Sequence, residues 1–148
     1  MFEIESKNPE EITITTKKTS IKFNIADAII DAGLPVGNIT GPGEFEIGDA
    51  TIRGVATESN KTIYDVEISG VHVGIIGGIE ENLDDIVADI LCTSSVRAIR
   101  EIEPKLIVSM GNVDAMVSEL KLSARTEKKL KVKNLDSLPV TKEVVVLS

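Results

Sequence analysis

The sequence predicts a single α/β domain, with mostly antiparallel strands in its first half and helices alternating with strands in its second. Three observations carry that prediction. In residues 12–24 and again in the strands between Glu44 and Ile76 apolar and polar residues alternate with a period of two. After Gly77-Gly78 the period lengthens to about 3.6. And 148 residues with 42% hydrophobic composition suffice for one core without disulfides or metals.

The elements follow in order. ITITTKKTSIKFN (12–24) alternates on both sides of Lys17-Lys18, which places a hairpin turn at the two lysines. ADAIIDAG (26–33) reads as a short amphipathic helix ended by Gly33. EFEI (44–47) and ATIRGVAT (50–57) flank Gly48-Asp49, and KTIYDVEI (61–68) and VHVGII (71–76) flank Ser69-Gly70, giving two more hairpins. The alternation turns Phe45 and Ile47 inward. In ENLDDIVADIL (81–91), Leu83, Ile86, Val87, Ile90 and Leu91 share one helical stripe opposite Glu81, Asp85 and Asp89. Asn82 serves as its N-cap, and the acidic first turn suits the positive end of the helix dipole.

SSVRAIREIE (94–103) is a second helix, stopped by Pro104. It hands over to KLIVSM (105–110), whose side-by-side apolar residues mark a strand buried on both faces. NVDAMVSEL (112–120) forms a third helix through Val113, Met116, Val117 and Leu120, and LKV (130–132) and EVVVL (143–147) close the chain as strands. No internal repeat, low-complexity tract or linker interrupts residues 1–148.

Composition excludes several function classes. A net charge of −8 repels phosphate backbones and anionic membrane surfaces, so neither nucleic acid nor a membrane is the expected partner. The aromatics are Phe2, Phe23, Phe45 and Tyr64, too few for a base-stacking platform. No apolar stretch reaches the roughly 18 residues of a membrane span, and MFEIESKN lacks the pattern of a signal peptide; the expected location is the cytoplasm. Cys92 is the single cysteine and reads as a small buried residue rather than a reactive thiol.

Each candidate for chemistry has a structural counterpart that fits better. Gly77-Gly78 between a strand and a helix could cradle a phosphate, but Glu80, Glu81, Asp84 and Asp85 crowd the same turn and oppose an anion. Glu81, Asp85 and Asp89, four apart, could share a cation along a helix face, yet the same spacing serves a solvated face. His72, the only histidine, alternates with Val71 and Val73 and points away from their face; one imidazole cannot make a histidine-rich zinc site. Arg125, Lys128, Lys129, Lys131 and Lys133 form a basic stretch, and the lysines alternating with Leu130 and Val132 read as an edge strand guarded by charge. Gly41-Pro42-Gly43 introduces a strand; Pro42 has no N–H to offer an anion, and Glu44 and Glu46 discourage one.

Taken together, three segments resemble a known family. ITGPGEFEIGDATIRGV, TIYDVEISGVHVGIIGG, and IEPKLIVSMGN followed by KLKVKNLDSLPVTKEVVVLS are similar to the later two thirds of metallo-β-lactamase-fold hydrolases, in the branch of ascorbate-6-phosphate lactonase-like proteins. In that prokaryotic branch a Gly-Pro-Gly-Glu-Tyr or Phe segment opens a strand, a hairpin carries a Gly-Asp element, and Glu-Pro-Lys leads a strand ending in Met-His. The resemblance covers roughly residues 39–148 and implies a reduced αββα sandwich: mixed, mostly antiparallel sheets with outer helices, the first half abbreviated. The family binds one or two metals through a His-x-His-x-Asp-His motif, further histidines and an aspartate, and a metal-bound water is its nucleophile. By the same resemblance Gly78 stands at the aspartate position and Gly111 at the final histidine position. Glu58 and Ser59 stand in the shortened loop near another histidine, and the first motif has no counterpart.

The resemblance therefore implies a metal-free, non-catalytic relative, without cofactor, retained for binding or assembly. A vestigial pocket is expected at Gly77, Gly78, Gly111 and Glu58, and a homodimer is expected to cover surface exposed by the shortened first half. One alternative is a hydrolase with a metal site rebuilt from Asp49, Glu58, Glu80 and Glu81. Another is a module binding a small molecule in the old pocket.

Overall fold

The computed structural model describes residues 1–35 and 37–148. Fourteen strands are present among them: β1 (Phe2–Glu5), β2 (Glu11–Thr15), β3 (Ser20–Asn24), β4 (Ile29–Asp31), β5 (Ile39–Thr40), β6 (Gly43–Ile47), β7 (Ala50–Ala56), β8 (Thr62–Ile68), β9 (Val71–Gly77), β10 (Ile90–Thr93), β11 (Leu106–Ser109), β12 (Ser123–Glu127), β13 (Leu130–Val132) and β14 (Glu143–Leu147). Two α-helices, α1 (Val96–Ile102) and α2 (Val113–Leu120), accompany them.

The strands divide into two sheets. A six-stranded antiparallel sheet runs β13-β1-β2-β3-β4-β5. An eight-stranded sheet runs β12-β14-β11-β10-β9-β8-β7-β6, with an antiparallel meander from β6 to β9 and parallel pairing from β9 through β12. Period-two patterning explains the smaller sheet. Phe2, Ile4, Ile12, Ile14, Ile21, Phe23 and Ile30 line one buried face, while Glu3, Thr13, Lys22 and Asp31 face outward. The two sheets share one core, in which the rings of Phe23 and Tyr64 lie 5.3 Å apart, tilted at 56°. Parallel β10 and β11 are buried on both faces, as the unbroken runs ILCT and LIVS require.

The hairpins at Lys17-Lys18, Gly48-Asp49 and Ser69-Gly70 form as the alternation predicts, and Ile47 is buried with Phe45 packed partly beside it. Ser95 caps α1 by accepting from the Ala98 N–H (3.0 Å), and the helix ends before Pro104. α1 packs against β10, and α2 against β12 and β14. Residues 1–35 and 37–40, which build most of the six-stranded sheet, contain no α-helix, so no outer helix comes from that stretch of chain.

Two predicted helices are absent. At 26–33 the chain makes a turn and then β4, which pairs with β3. Asn24 Oδ1 accepts from the Asp27 N–H (3.0 Å), closing a single turn, and Ala28 adopts a positive φ of 54°, which breaks the helical run before Ile29 pairs with Asn24. At 81–91 only a single 3₁₀ turn forms, Leu83–Asp85, with Asn82 in the left-handed region and making no side-chain cap. The segment after it runs extended across Gly74, where a Cβ would meet Ile86 Cγ2 at 3.0 Å and Ala88 Cβ at 3.1 Å. The apparent helical stripe straddles two elements, and its member Val87 is 64% exposed. Besides β4 and β10, which replace parts of these two helices, three strands are additional to those predicted: β1, β5 and β12, the last with all its residues exposed.

Candidate functional site

β9 ends at Gly77, whose φ of +57° and close approach to Ile25 (3.1 Å from an added Cβ) exclude a side chain. Its carbonyl accepts from Thr93 Oγ1 (2.7 Å) and from the Ser94 N–H (2.9 Å), which ties the ends of β9 and β10 together. Beyond this knot opens a cleft of about 620 Å³ lined by Gly77, Gly78, Glu80, Glu81, Ser59, Lys61 and Arg97, with Pro9, Glu10 and Ile25 on the side of the smaller sheet.

Within the cleft, the Glu80 and Glu81 carboxylates are tied to the protein itself. Glu80 Oε2 accepts from Ser95 Oγ at 2.5 Å, the same hydroxyl that caps α1. Glu81 Oε2 accepts from the Ser59 N–H at 3.0 Å. Gly77-Gly78 is the expected turn: no α-helix starts behind it, and Gly77 turns its carbonyl rather than an amide to Thr93 and Ser94. Gly78 and Gly111 converge on one residue. A Cβ on Gly78 would sit 3.1 Å from Ser94 Oγ, and one on Gly111 would sit 3.9 Å from Ser94 Cβ. Glu58 lies exposed in the turn at 57–60 and does not line the cleft; its neighbour Ser59 does.

No protein-family profile and no curated protein matches the chain. Among solved structures it is similar to an inferred Zn-dependent hydrolase of the metallo-β-lactamase superfamily from Thermotoga maritima. The likeness has a TM-score of 0.71 at 16% identity and covers 99% of this chain and 98% of that one. The chain has a metallo-β-lactamase-type fold.

Zinc, which that neighbour's description names, does not fit the residues present. Gly78 and Gly111, brought together around Ser94, offer no donor side chain. Among the described residues no three of His, Cys, Asp and Glu are grouped to hold a metal. His72 lies five residues before Gly77 on β9, roughly 16 Å along an extended strand. Asp49, proposed with Glu58, Glu80 and Glu81 for a rebuilt site, accepts from Thr16 Oγ1 (3.0 Å) and lines a different groove with Met1, Lys17 and Lys131. The three carboxylates expected on one helix face are dispersed: Glu81 binds Ser59, the Asp85 carbonyl accepts from Arg53, and Asp89 Oδ2 accepts from the His72 N–H (2.9 Å).

The metallo-β-lactamase-type fold also assembles a cluster that residue-by-residue reading missed. Asp65, only 8% exposed, accepts from Arg53 Nη2 (3.3 Å) and lies 3.2 Å from His72 Nδ1, while Glu67 lies 3.6 Å from His72 Nε2. The signal was available in the hairpin register, because a turn at Ser69-Gly70 puts Glu67 opposite His72. This half-exposed histidine faces outward, as its alternation with Val71 and Val73 requires. The basic stretch is likewise partly neutralised: Arg125 pairs with Glu127 and Glu143, and Lys129 with Glu5. Cys92 is fully buried, and burial pushes its thiol pKa up, which suits an inert core residue.

Proposed function

We propose that this chain is a metal-free, non-catalytic protein of metallo-β-lactamase type, retained for binding or assembly. One observation supports it above the others: Gly78 and Gly111, which the resemblance aligns with metal ligands, meet around Ser94 and bring no His, Cys, Asp or Glu side chain to that point. Glu80 and Glu81, which line the cleft with Gly78, each accept a hydrogen bond from the protein, Glu80 from Ser95 and Glu81 from Ser59. Elemental analysis of protein purified without chelator tests the reading. Far less than one metal per chain is the expected result, and stoichiometric zinc, iron or manganese would overturn it in favour of a rebuilt hydrolase.

A second reading, a small-molecule binding module, is favoured by the charge pattern of the cleft. Lys61 and Arg97 share it with Glu10, Glu80 and Glu81, so both ends of a small zwitterion find a counter-charge. Thermal shift with free amino acids, and with inorganic phosphate as a purely anionic control, tests this. Stabilisation by an amino acid that Lys61→Ala abolishes is expected, and no shift at millimolar ligand would refute the reading.

A further inference from the structure

We infer that two copies of this chain join their eight-stranded sheets through β12, antiparallel about a two-fold axis at Thr126. β12 is the last strand of its sheet: β14 pairs with one side, the other side pairs with no described strand, and all five residues are exposed. Its backbone polarity follows from a single bond. The Ser148 N–H donates to the Glu127 carbonyl (3.0 Å), with Glu127 opposite Leu147 in a parallel ladder. In such a ladder the N–H and C=O of one residue point to the same side, and successive residues alternate. Ser123, Arg125 and Glu127 therefore turn their backbone groups to β14, and Ala124 and Thr126 turn theirs outward. An unpaired edge of this kind is a template for another strand.

Side-chain charge selects both the occupant and the register. With the two-fold axis perpendicular to the sheet and passing through Thr126, the two Thr126 residues exchange both backbone hydrogen bonds, as their outward groups require. Arg125 of each copy then stands opposite Glu127 of the other, at the close spacing of a non-hydrogen-bonded pair, twice over by symmetry. A shift centring the axis on Arg125 sets arginine against arginine, and one centring it on Ala124 sets Ser123 against Arg125. The opposite edge of the sheet excludes itself. In β6, GEFEI, centring the axis on Glu44, Phe45 or Glu46 places a glutamate opposite a glutamate, and centring it on either end residue leaves no second pair within the strand. The remaining edges, β5 and β13, have only two and three residues. Three strands, β14, β11 and β10, separate this seam from β9, at whose end the cleft opens, so the inference gives substance to the assembly role without depending on whether the cleft is metal-free.

Charge exchange between copies tests it. Wild-type protein in sedimentation equilibrium is expected at twice the 15.9 kDa protomer mass. Arg125→Glu gives each copy two glutamates at the seam and Glu127→Arg gives each two arginines, so each variant alone is expected at protomer mass. Mixed one to one, they restore opposite charges at both positions, and the dimer mass is expected to return. Thr126→Pro, which removes an outward N–H and no bond to β14, is expected to be monomeric with unchanged circular dichroism. A monomeric wild type, variants that remain dimeric, or a mixture that stays monomeric would each overturn the inference. None of these results bears on the metal content, which separately tests the proposed function.

Discussion

Replacing Tyr64 with phenylalanine should stabilise this protein. Tyr64 is 0% exposed and its ring packs on Phe23, yet its hydroxyl has no hydrogen-bond partner among the described residues. A tyrosine hydroxyl that forms a bond contributes about 1 kcal/mol, whereas one buried without a partner carries a desolvation cost of roughly 1–3 kcal/mol. Phenylalanine keeps the ring in the same site and removes that cost, so Tyr64→Phe should gain about 1 kcal/mol at neutral pH. For a chain of this length that is a rise of roughly 3 °C in Tm. Alkaline titration supplies an independent check. Burial pushes the Tyr64 pKa up to about 12 from its ordinary 10.0. Above pH 10 the unfolded chain releases this proton while the folded chain retains it, so wild-type stability falls as pH rises toward 12, by up to about 2.7 kcal/mol. Below pH 10 that contribution is intact. Phenylalanine has no such proton, so the advantage of the variant should widen across this window, while the Cys92 contribution cancels because both proteins carry it. Urea denaturation of both proteins at neutral pH and in steps above pH 10 measures both effects. A variant less stable than wild type at neutral pH would show that the hydroxyl is hydrogen-bonded and refute the reasoning.

Other substitutions probe the packing around the cleft. Ser95→Ala removes both the N-cap of α1 and the hydrogen bond to Glu80, and should cost about 1–3 kcal/mol by denaturant titration; a loss below half a kcal/mol would mean the hydroxyl is redundant. Gly74→Ala presses a methyl against Ile86, Ala88 and Leu91 and should cost about 1–3 kcal/mol, measurable as a lower urea midpoint. The Cys92 thiol should react with Ellman's reagent only as fast as the protein unfolds, and rapid modification of native protein would contradict its burial.

The elements legible in the sequence were those whose local pattern and tertiary environment agree. Alternation placed the β2-β3, β6-β7 and β8-β9 hairpins, and Pro104 marked where α1 ends. The unbroken run LIVS announced burial on both faces of β11. Where a periodic pattern crossed an element boundary, local reading failed. Ile86, Val87, Ile90 and Leu91 look helical because an extended segment crossing Gly74 and the start of β10 place apolar residues at helix-like spacings, and only the shallow trough over Gly74 decides between the two. Likewise IID in β4 is a strand because β3 offers it partners.

The site divides along the same line. Sequence by itself determined that residues 78 and 111 are glycines without donor side chains, since their identity does not depend on folding. Only the tertiary structure decided that Gly78 and Gly111 meet at Ser94, that Glu58 stands outside the cleft, and that Asp49 belongs to another groove. It also decided that β12 is an edge with Ala124 and Thr126 turned outward. The physical reason is common to all of these. Side-chain chemistry and short-range period are properties of the chain, whereas proximity and exposure depend on which distant strands pair, and that pairing is set by burial of the whole core rather than by any one segment.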